Sequence, residues 1–168
     1  MGRLERAFFE RDVVEVARAL LGCLLVHEVA GVRRVGRIVE TEAYLAEGDA
    51  AAHVAYGKKA SVRALEAGPG TLYVHPMRQY VGMDIVARGG SVLVRGLEVV
   101  EGMVGPLDGP GKLTRALGVT RDYDGVDVVT AGRIWVEAGE VMGEIGVGPR
   151  VGITRDVGLE LRFRVLRG

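Results

Sequence analysis

The sequence predicts an α+β fold: a single compact domain, residues 1–168, built around an antiparallel β-sheet with few helices. Three observations predict it. Short segments with alternating or continuous apolar character outnumber segments with helical spacing. Most of them are joined by tight turns marked by glycine or proline. No repeat, low-complexity stretch or break in composition divides the 168 residues, a length that one domain with a proper core accommodates.

The elements follow in order. Asp12 and Glu15 frame a capping box, and Val13, Val16, Ala17, Leu20 and Leu21 repeat at helical spacing until Gly22 ends the helix. Residues 24–29 read as a strand, Ala30-Gly31-Val32 as a turn and residues 34–44 as the next strand. Residues 45–70 have little periodicity and read as a long loop with one helical turn at 61–66. A loop of that length inside a compact domain is usually functional. Strands at 71–75 and 80–88 flank Pro76-Met77-Arg78-Gln79, which reads as a hairpin tip. Gly89-Gly90 turns the chain into a strand at 91–95. A helix is expected at 111–117, ended by Gly118, and strands at 134–137 and 161–166.

Composition excludes several classes. Hydrophobic residues make up 48% and charged residues 26%, ordinary for a soluble globular protein. The charged N-terminus leads into no long apolar run, so neither a secretory leader nor a membrane span is read, and a cytoplasmic location is expected. Cys23 lies in an apolar run and reads as a buried structural thiol, and no Cys/His cluster has zinc spacing; no metal or cofactor is expected. Net charge is zero, which argues against a strong nonspecific nucleic-acid binder. Between Lys58 and Arg95, however, six basic residues face only Glu66 and Asp84, which fits either a solvated face or a small footprint on a phosphate backbone.

The stretch from Gly36 to Tyr44 is the most informative. Strand alternation puts Ile38, Glu40, Glu42 and Tyr44 on one face and Val39, Thr41 and Ala43 on the other. Two carboxylates beside an apolar residue and an aromatic cost several kcal/mol to bury unless paired. One reading is a structural pair bonded to nearby arginines. The other is a base that activates water beside a stacked planar substrate.

Several motifs shift that balance. Arg37-Ile38-Val39-Glu40-Thr41-Glu42-Ala43-Tyr44, Ala51-Ala52-His53, Pro69-Gly70-Thr71-Leu72-Tyr73-Val74, Val92-Leu93-Val94-Arg95-Gly96-Leu97-Glu98, Gly109-Pro110-Gly111-Lys112-Leu113, Arg150-Val151-Gly152 and Leu161-Arg162-Phe163 resemble, in order, the alkyladenine (3-methyladenine) DNA glycosylase family. The match runs from about Val16 to Val165. The resemblance implies a single mixed domain with a protruding β-hairpin. It implies an enzyme that flips alkylated purines out of double-stranded DNA and hydrolyses the N-glycosidic bond. In this likeness Glu42 activates the water, and Arg95 and the backbone carbonyl of Val151 help hold it. Tyr44 and His53 lie on either side of the flipped base. A monomer acting on duplex DNA that contains damaged purines is expected, with no membrane partner.

One carboxylate suffices for such chemistry. Ordinary glycoside hydrolysis uses two because the leaving oxygen needs a proton. A purine alkylated at a ring nitrogen already carries positive charge and leaves readily, so one ionised glutamate can both present water and stabilise the cationic transition state. Lys58, Lys59 and Lys112 adjoin glycines in loops or at a helix start and suit phosphate contacts better than imine formation.

The sequence also departs from the family pattern. His75 stands where a third pocket aromatic, a tyrosine, is usual. Asp84 aligns with an asparagine that helps exclude the guanine 2-amino group. The hairpin tip lacks the usual intercalating tyrosine; Met77 or Arg78 is expected to fill the space the base vacates, with Tyr80 a third candidate. Competing readings are a noncatalytic damaged-base sensor, an RNA-binding module of related architecture, and an alkyltransferase, which would need a reactive Cys23.

Overall fold

Asp12 starts a helix where the periodicity places it, and its carboxylate accepts the Val14 N–H at 3.0 Å. A computed structural model describes residues 2–52 and 65–168 of the protein. After a short helix α1 (Arg6–Phe9), helix α2 spans Val13–Ala19. It is shorter than its apolar periodicity because the chain turns at Gly22, whose φ is +87°. A Cβ there would strike the backbone of Glu140, so only glycine fits.

Strand β1 (Leu24–Val29) pairs with β2 (Val32–Leu45) through the expected turn. Then come β3 (Leu72–Met77), β4 (Tyr80–Ala87) and β5 (Gly90–Glu101). Helix α3 (Pro110–Leu117) ends at Gly118 in the left-handed conformation, as its sequence requires. Strands β6 (Ile134–Glu137), β7 (Glu144–Gly148) and β8 (Arg162–Leu166) complete the described elements. The sheet runs β3-β4-β5-β2-β1-β6, and β8 adds to β2 and carries β7. All of these pairings are antiparallel, which gives the α+β class expected. Among the described residues no helix is long and apolar enough to cross a membrane.

Three sequence expectations need correction. First, Ile38 does not share a face with Glu40. The β2–β5 register steps by one residue between Ile38 and Glu40 and back between Glu40 and Thr41. This bulge leaves Ile38, Thr41 and Ala43 facing the core while Glu42 and Tyr44 face the other side. Gly96 sits opposite the bulge, where a Cβ would come within 3.1 Å of Glu40 Cβ. Second, the hairpin tip is tighter than expected. Pro76 and Met77 belong to β3, Met77 pairs with Tyr80, and Arg78-Gln79 alone form the turn, with Arg78 at φ +53°. Third, β5 is longer than residues 91–95 because its second half continues to pair with β2. Of the expected helical turn at 61–66, residues 65–66 are helical and the rest lies outside the described residues.

The main core lies between α2, α3 and one face of the sheet. Val13, Val16, Ala17 and Leu20 pack with Ile38, Leu72, Ile85, Val92, Val94 and Leu113, all essentially inaccessible. Each large aliphatic buried this way contributes roughly 1.5–3 kcal/mol. Thr41 reaches into the same layer and donates its hydroxyl to Ala17 O at 2.7 Å, which ties β2 to α2. Cys23 is buried at the edge of this core and its Sγ donates to Ala19 O. Burial pushes its thiol pKa up, so it is a poor nucleophile at neutral pH, against the alkyltransferase reading.

Candidate active site

The face of the sheet opposite the core carries the titratable groups. Register places Tyr73, Asp84, Leu93 and Glu42 side by side across β3, β4, β5 and β2. Residues facing one another on antiparallel strands project to the same side. Asp84 and Glu42 therefore share a face with one strand between them, about 10 Å apart along the sheet.

Glu42 is wholly buried. Its Oε2 accepts the Val151 N–H at 2.7 Å, and its Oε1 accepts the Tyr44 hydroxyl at 3.0 Å. Arg95 Nη1 lies 3.6 Å from Oε1. Burial pushes the Glu42 pKa up; the Arg95 charge, the Val151 N–H and the Tyr44 hydroxyl offset this only in part. A raised carboxylate is a stronger base once ionised. Each oxygen of an ionised carboxylate takes more than one donor, so Glu42 retains capacity for a water. It is the Val151 amide, not its carbonyl, that contacts Glu42 in this arrangement.

Glu40 differs. Its Oε1 lies 2.7 Å from Arg162 Nε and 3.3 Å from Arg95 Nε. The structural pair anticipated for this strand is therefore realised at Glu40. Arg95 bridges both carboxylates and so is oriented by Glu40 while it faces Glu42.

A cavity of about 560 Å³ opens beside Glu42. Tyr44, Arg95 and Val151, the three partners of Glu42, all line it, though Glu42 itself does not. His75, Asp84, Met77, Arg78, Tyr80 and Lys112 line it as well. Of the residues picked from sequence, these come together around one space. His53, Lys58 and Lys59 lie outside the described residues.

His75 and Asp84 are both buried and paired. Nε2 of His75 lies 2.8 Å from Asp84 Oδ1, and Ser91 donates its hydroxyl to Asp84 Oδ2 at 2.7 Å. The ring of His75 stacks on Tyr73, centroids 4.6 Å apart. The two departures from the family pattern thus contact each other. Asp84 is already engaged, so it is a less open acceptor than its sequence position implies.

At the tip, Met77 folds back over the sheet: a Cβ on Gly82 would clash with its sulfur and with the His75 ring. Arg78 is exposed at the apex, and Tyr80 is 43% exposed with the Arg115 guanidinium 4.9 Å from its ring. Lys112 Nζ lies 2.7 Å from Asp108 on the surface.

Sequence reasoning missed one pair. Arg150 and Asp49 have fully buried side chains and bond through both guanidinium nitrogens, Nη1 to Oδ2 at 2.6 Å and Nη2 to Oδ1 at 2.9 Å. Nη1 also donates to Ala43 O, and the guanidinium stacks 4.6 Å from the Tyr44 ring centroid. Asp49 in turn accepts the N–H groups of Leu45 and Ala51. The pair thus fixes Tyr44 from behind and holds the chain next to Val151, whose N–H meets Glu42. Burial alone would raise the Asp49 pKa, but Arg150 and the two amides outweigh it and hold the carboxyl below its usual range.

Residues 7–167 match the family described as methylpurine-DNA glycosylase. The chain belongs to the methylpurine-DNA glycosylase family. Similar proteins carry the name "Putative 3-methyladenine DNA glycosylase". One from Myxococcus xanthus is 40% identical over 162 residues, covering 91% of this chain and 83% of the relative. One from Methanocella arvoryzae is 36% identical over 168 residues, covering 89% and 84%. One from Rhodopirellula baltica is 35% identical over 185 residues, covering 96% and 79%. In this member of the family, strand β2 holds the buried carboxylate Glu42.

Proposed function

We propose that this chain is a monofunctional DNA glycosylase that extrudes alkylated purines from duplex DNA and hydrolyses the N-glycosidic bond with a water activated by Glu42. The observation that carries this reading is Glu42: a buried carboxylate whose pKa is raised, and whose donors among the described residues, Tyr44, Arg95 and Val151, line a cavity with planar side chains. Tyr44 is suited to stack on the extruded base, and its pKa is pushed far up by burial and by Glu42, so it stays a donor. His53 is proposed to close the other side. Arg95, held by Glu40, is placed to orient the water and to balance the charge of Glu42. Met77, Arg78 and Tyr80 remain the three proposed wedges, and Lys58, Lys59 and Lys112 proposed phosphate contacts. The protein is proposed to act as a monomer.

The test is incubation with duplexes that each carry one defined lesion, followed by detection of the free base and of the abasic site. Release of an alkylated purine supports the reading. Tight lesion binding without release would make the protein a sensor, and binding to RNA in preference to duplex DNA would make it an RNA module. Neither alternative requires a buried carboxylate with donors on both oxygens.

Asp84 bears on lesion choice. It adds a second negative charge to the face that holds Glu42, and charges in such a site interact more strongly than in water. Bases with a fixed positive charge, such as 7-methylguanine and 3-methyladenine, should be released faster than neutral hypoxanthine. Asp84→Asn should shift the ratio of single-turnover rates toward hypoxanthine by about tenfold, the equivalent of one pKa unit of differential interaction. An unchanged ratio would mean that the His75 and Ser91 contacts screen Asp84 from the base.

A further inference from the structure

Beyond the hairpin, a second groove of about 480 Å³ runs between β4, α3 and the turn that follows α3. It shares Arg78, Tyr80 and Gly111 with the cavity described above, so the two form neighbouring sections of one trough. Arg78, Arg115 and Arg121 line it against a single acid, Asp122. All three arginines are exposed, and none makes an ion pair with a described residue. Arg6, Arg33, Arg95, Arg150 and Arg162, in contrast, each hold a carboxylate. Three guanidinium groups against one acid leave the groove with a net positive charge, and a cleft lined by one sign of charge raises the local concentration of the opposite one.

The groove is also rigid. Tyr80 packs on Gly111 so closely that a Cβ there would lie 2.5 Å from the ring, and Arg115 covers the same ring. Thr114 donates its hydroxyl to Val81 O at 2.9 Å and so fastens α3 to β4. Positions 78 and 115 are therefore carried by elements fastened to each other, and Arg121 follows on the 3-10 turn just after α3. Thr120, the N-cap of the 3-10 turn Arg121–Tyr123, adds a hydroxyl to the wall.

We propose that this groove is a phosphate track: Arg115 and Arg121, with Arg78, bind consecutive backbone phosphates of the DNA that leads away from the extruded nucleotide. Guanidinium groups bind phosphate oxygens in a forked, sequence-independent way. The track explains how a protein of zero net charge holds duplex DNA. It rests on the glycosylase reading, because the strand must enter the groove from the base cavity.

The test is binding of undamaged and lesion-bearing duplex by fluorescence anisotropy over a series of salt concentrations. Arg115→Gln with Arg121→Gln should reduce the log–log salt slope by nearly two units, close to one per lost contact, and weaken binding on the order of 10- to 100-fold. Single-turnover base release at saturating protein should stay within a few-fold of wild type. Arg167→Gln is the control: its side chain is 78% exposed and lines a different recess. An unchanged slope in the double variant overturns the track, and so does an equal loss in Arg167→Gln, which would reduce the effect to net charge. If no lesion is ever released but the double variant still loses its slope, the glycosylase reading fails and the track stands as a nucleic-acid groove. If bases are released normally and the slope does not move, the track alone fails.

Discussion

Glu42→Gln is expected to lower single-turnover base release by at least about 100-fold, the usual loss for removing a positioned base, while lesion-duplex binding persists. Glutamine keeps the shape and can still accept the Val151 N–H, so Tyr44 and the chain at Val151 stay in place. The variant also carries a stability signature. Because the folded-state pKa of Glu42 is raised, the ionised form costs stability at neutral pH, and that cost vanishes as pH falls through the raised value. Glutamine removes the cost, so the melting midpoint at pH 7 should be equal to or above that of wild type. The wild-type rate should fall on the acid side beginning above the ordinary glutamate range, which is near 4.3. Glu40→Gln is the comparison. Glu40 bonds Arg95 and Arg162, whereas Tyr44 and Val151 of the cavity wall bond Glu42, so the loss of Glu40 should affect stability more than chemistry. Base release by Glu42→Gln within a few-fold of wild type would remove the proposed mechanism.

Arg150→Met should be the most destabilising single change at the site. It leaves the Asp49 carboxylate buried without its partner, at a cost of about 3–5 kcal/mol. For a chain of this size that lowers the melting midpoint by roughly 10 °C. The pH dependence discriminates the cause. In wild type Asp49 is held below its usual range, so its contribution is present above the unfolded value and is lost as pH falls through the depressed one. Without Arg150 the same carboxylate is raised instead, and the deficit of the variant should shrink between pH 7 and pH 4. A deficit that does not change with pH would point to lost packing. Asp49→Leu in the Arg150→Met background should restore part of the midpoint. Base release should also fall, on the order of 100-fold, because Tyr44 and Val151 lose the support that sets their positions.

The local part of this site was legible in the sequence. Glu42 and Tyr44 stand two residues apart on a strand, and alternation alone puts them together. Alternation alone misplaces Ile38 because a bulge depends on the partner strand: the register steps where β5 brings Arg95 and Gly96 against Val39 and Glu40. The hairpin is legible in the sequence but its turn reads too wide, since Pro76 in an edge strand looks like a turn residue. The His75–Asp84 contact depends on the tighter register, in which Tyr73 pairs with Asp84 and His75 with Gly82. The Asp49–Arg150 pair spans 101 positions in sequence and no local pattern could reveal it. Both residues sit in segments without periodicity, where only the closed fold brings them together.

The central claim is that water, presented by Glu42, displaces the base, and that no protein amine forms a covalent intermediate. Lys112 is the lysine that lines the cavity among the described residues, and its Nζ is paired with Asp108. The direct measurement is turnover of a duplex carrying one alkylated purine in the presence of borohydride, with protein and DNA strand resolved under denaturing conditions. The account predicts free base, an intact abasic strand and no protein–DNA adduct. A reduced covalent adduct that forms with wild type and also with Glu42→Gln would contradict it and assign the attack to an amine.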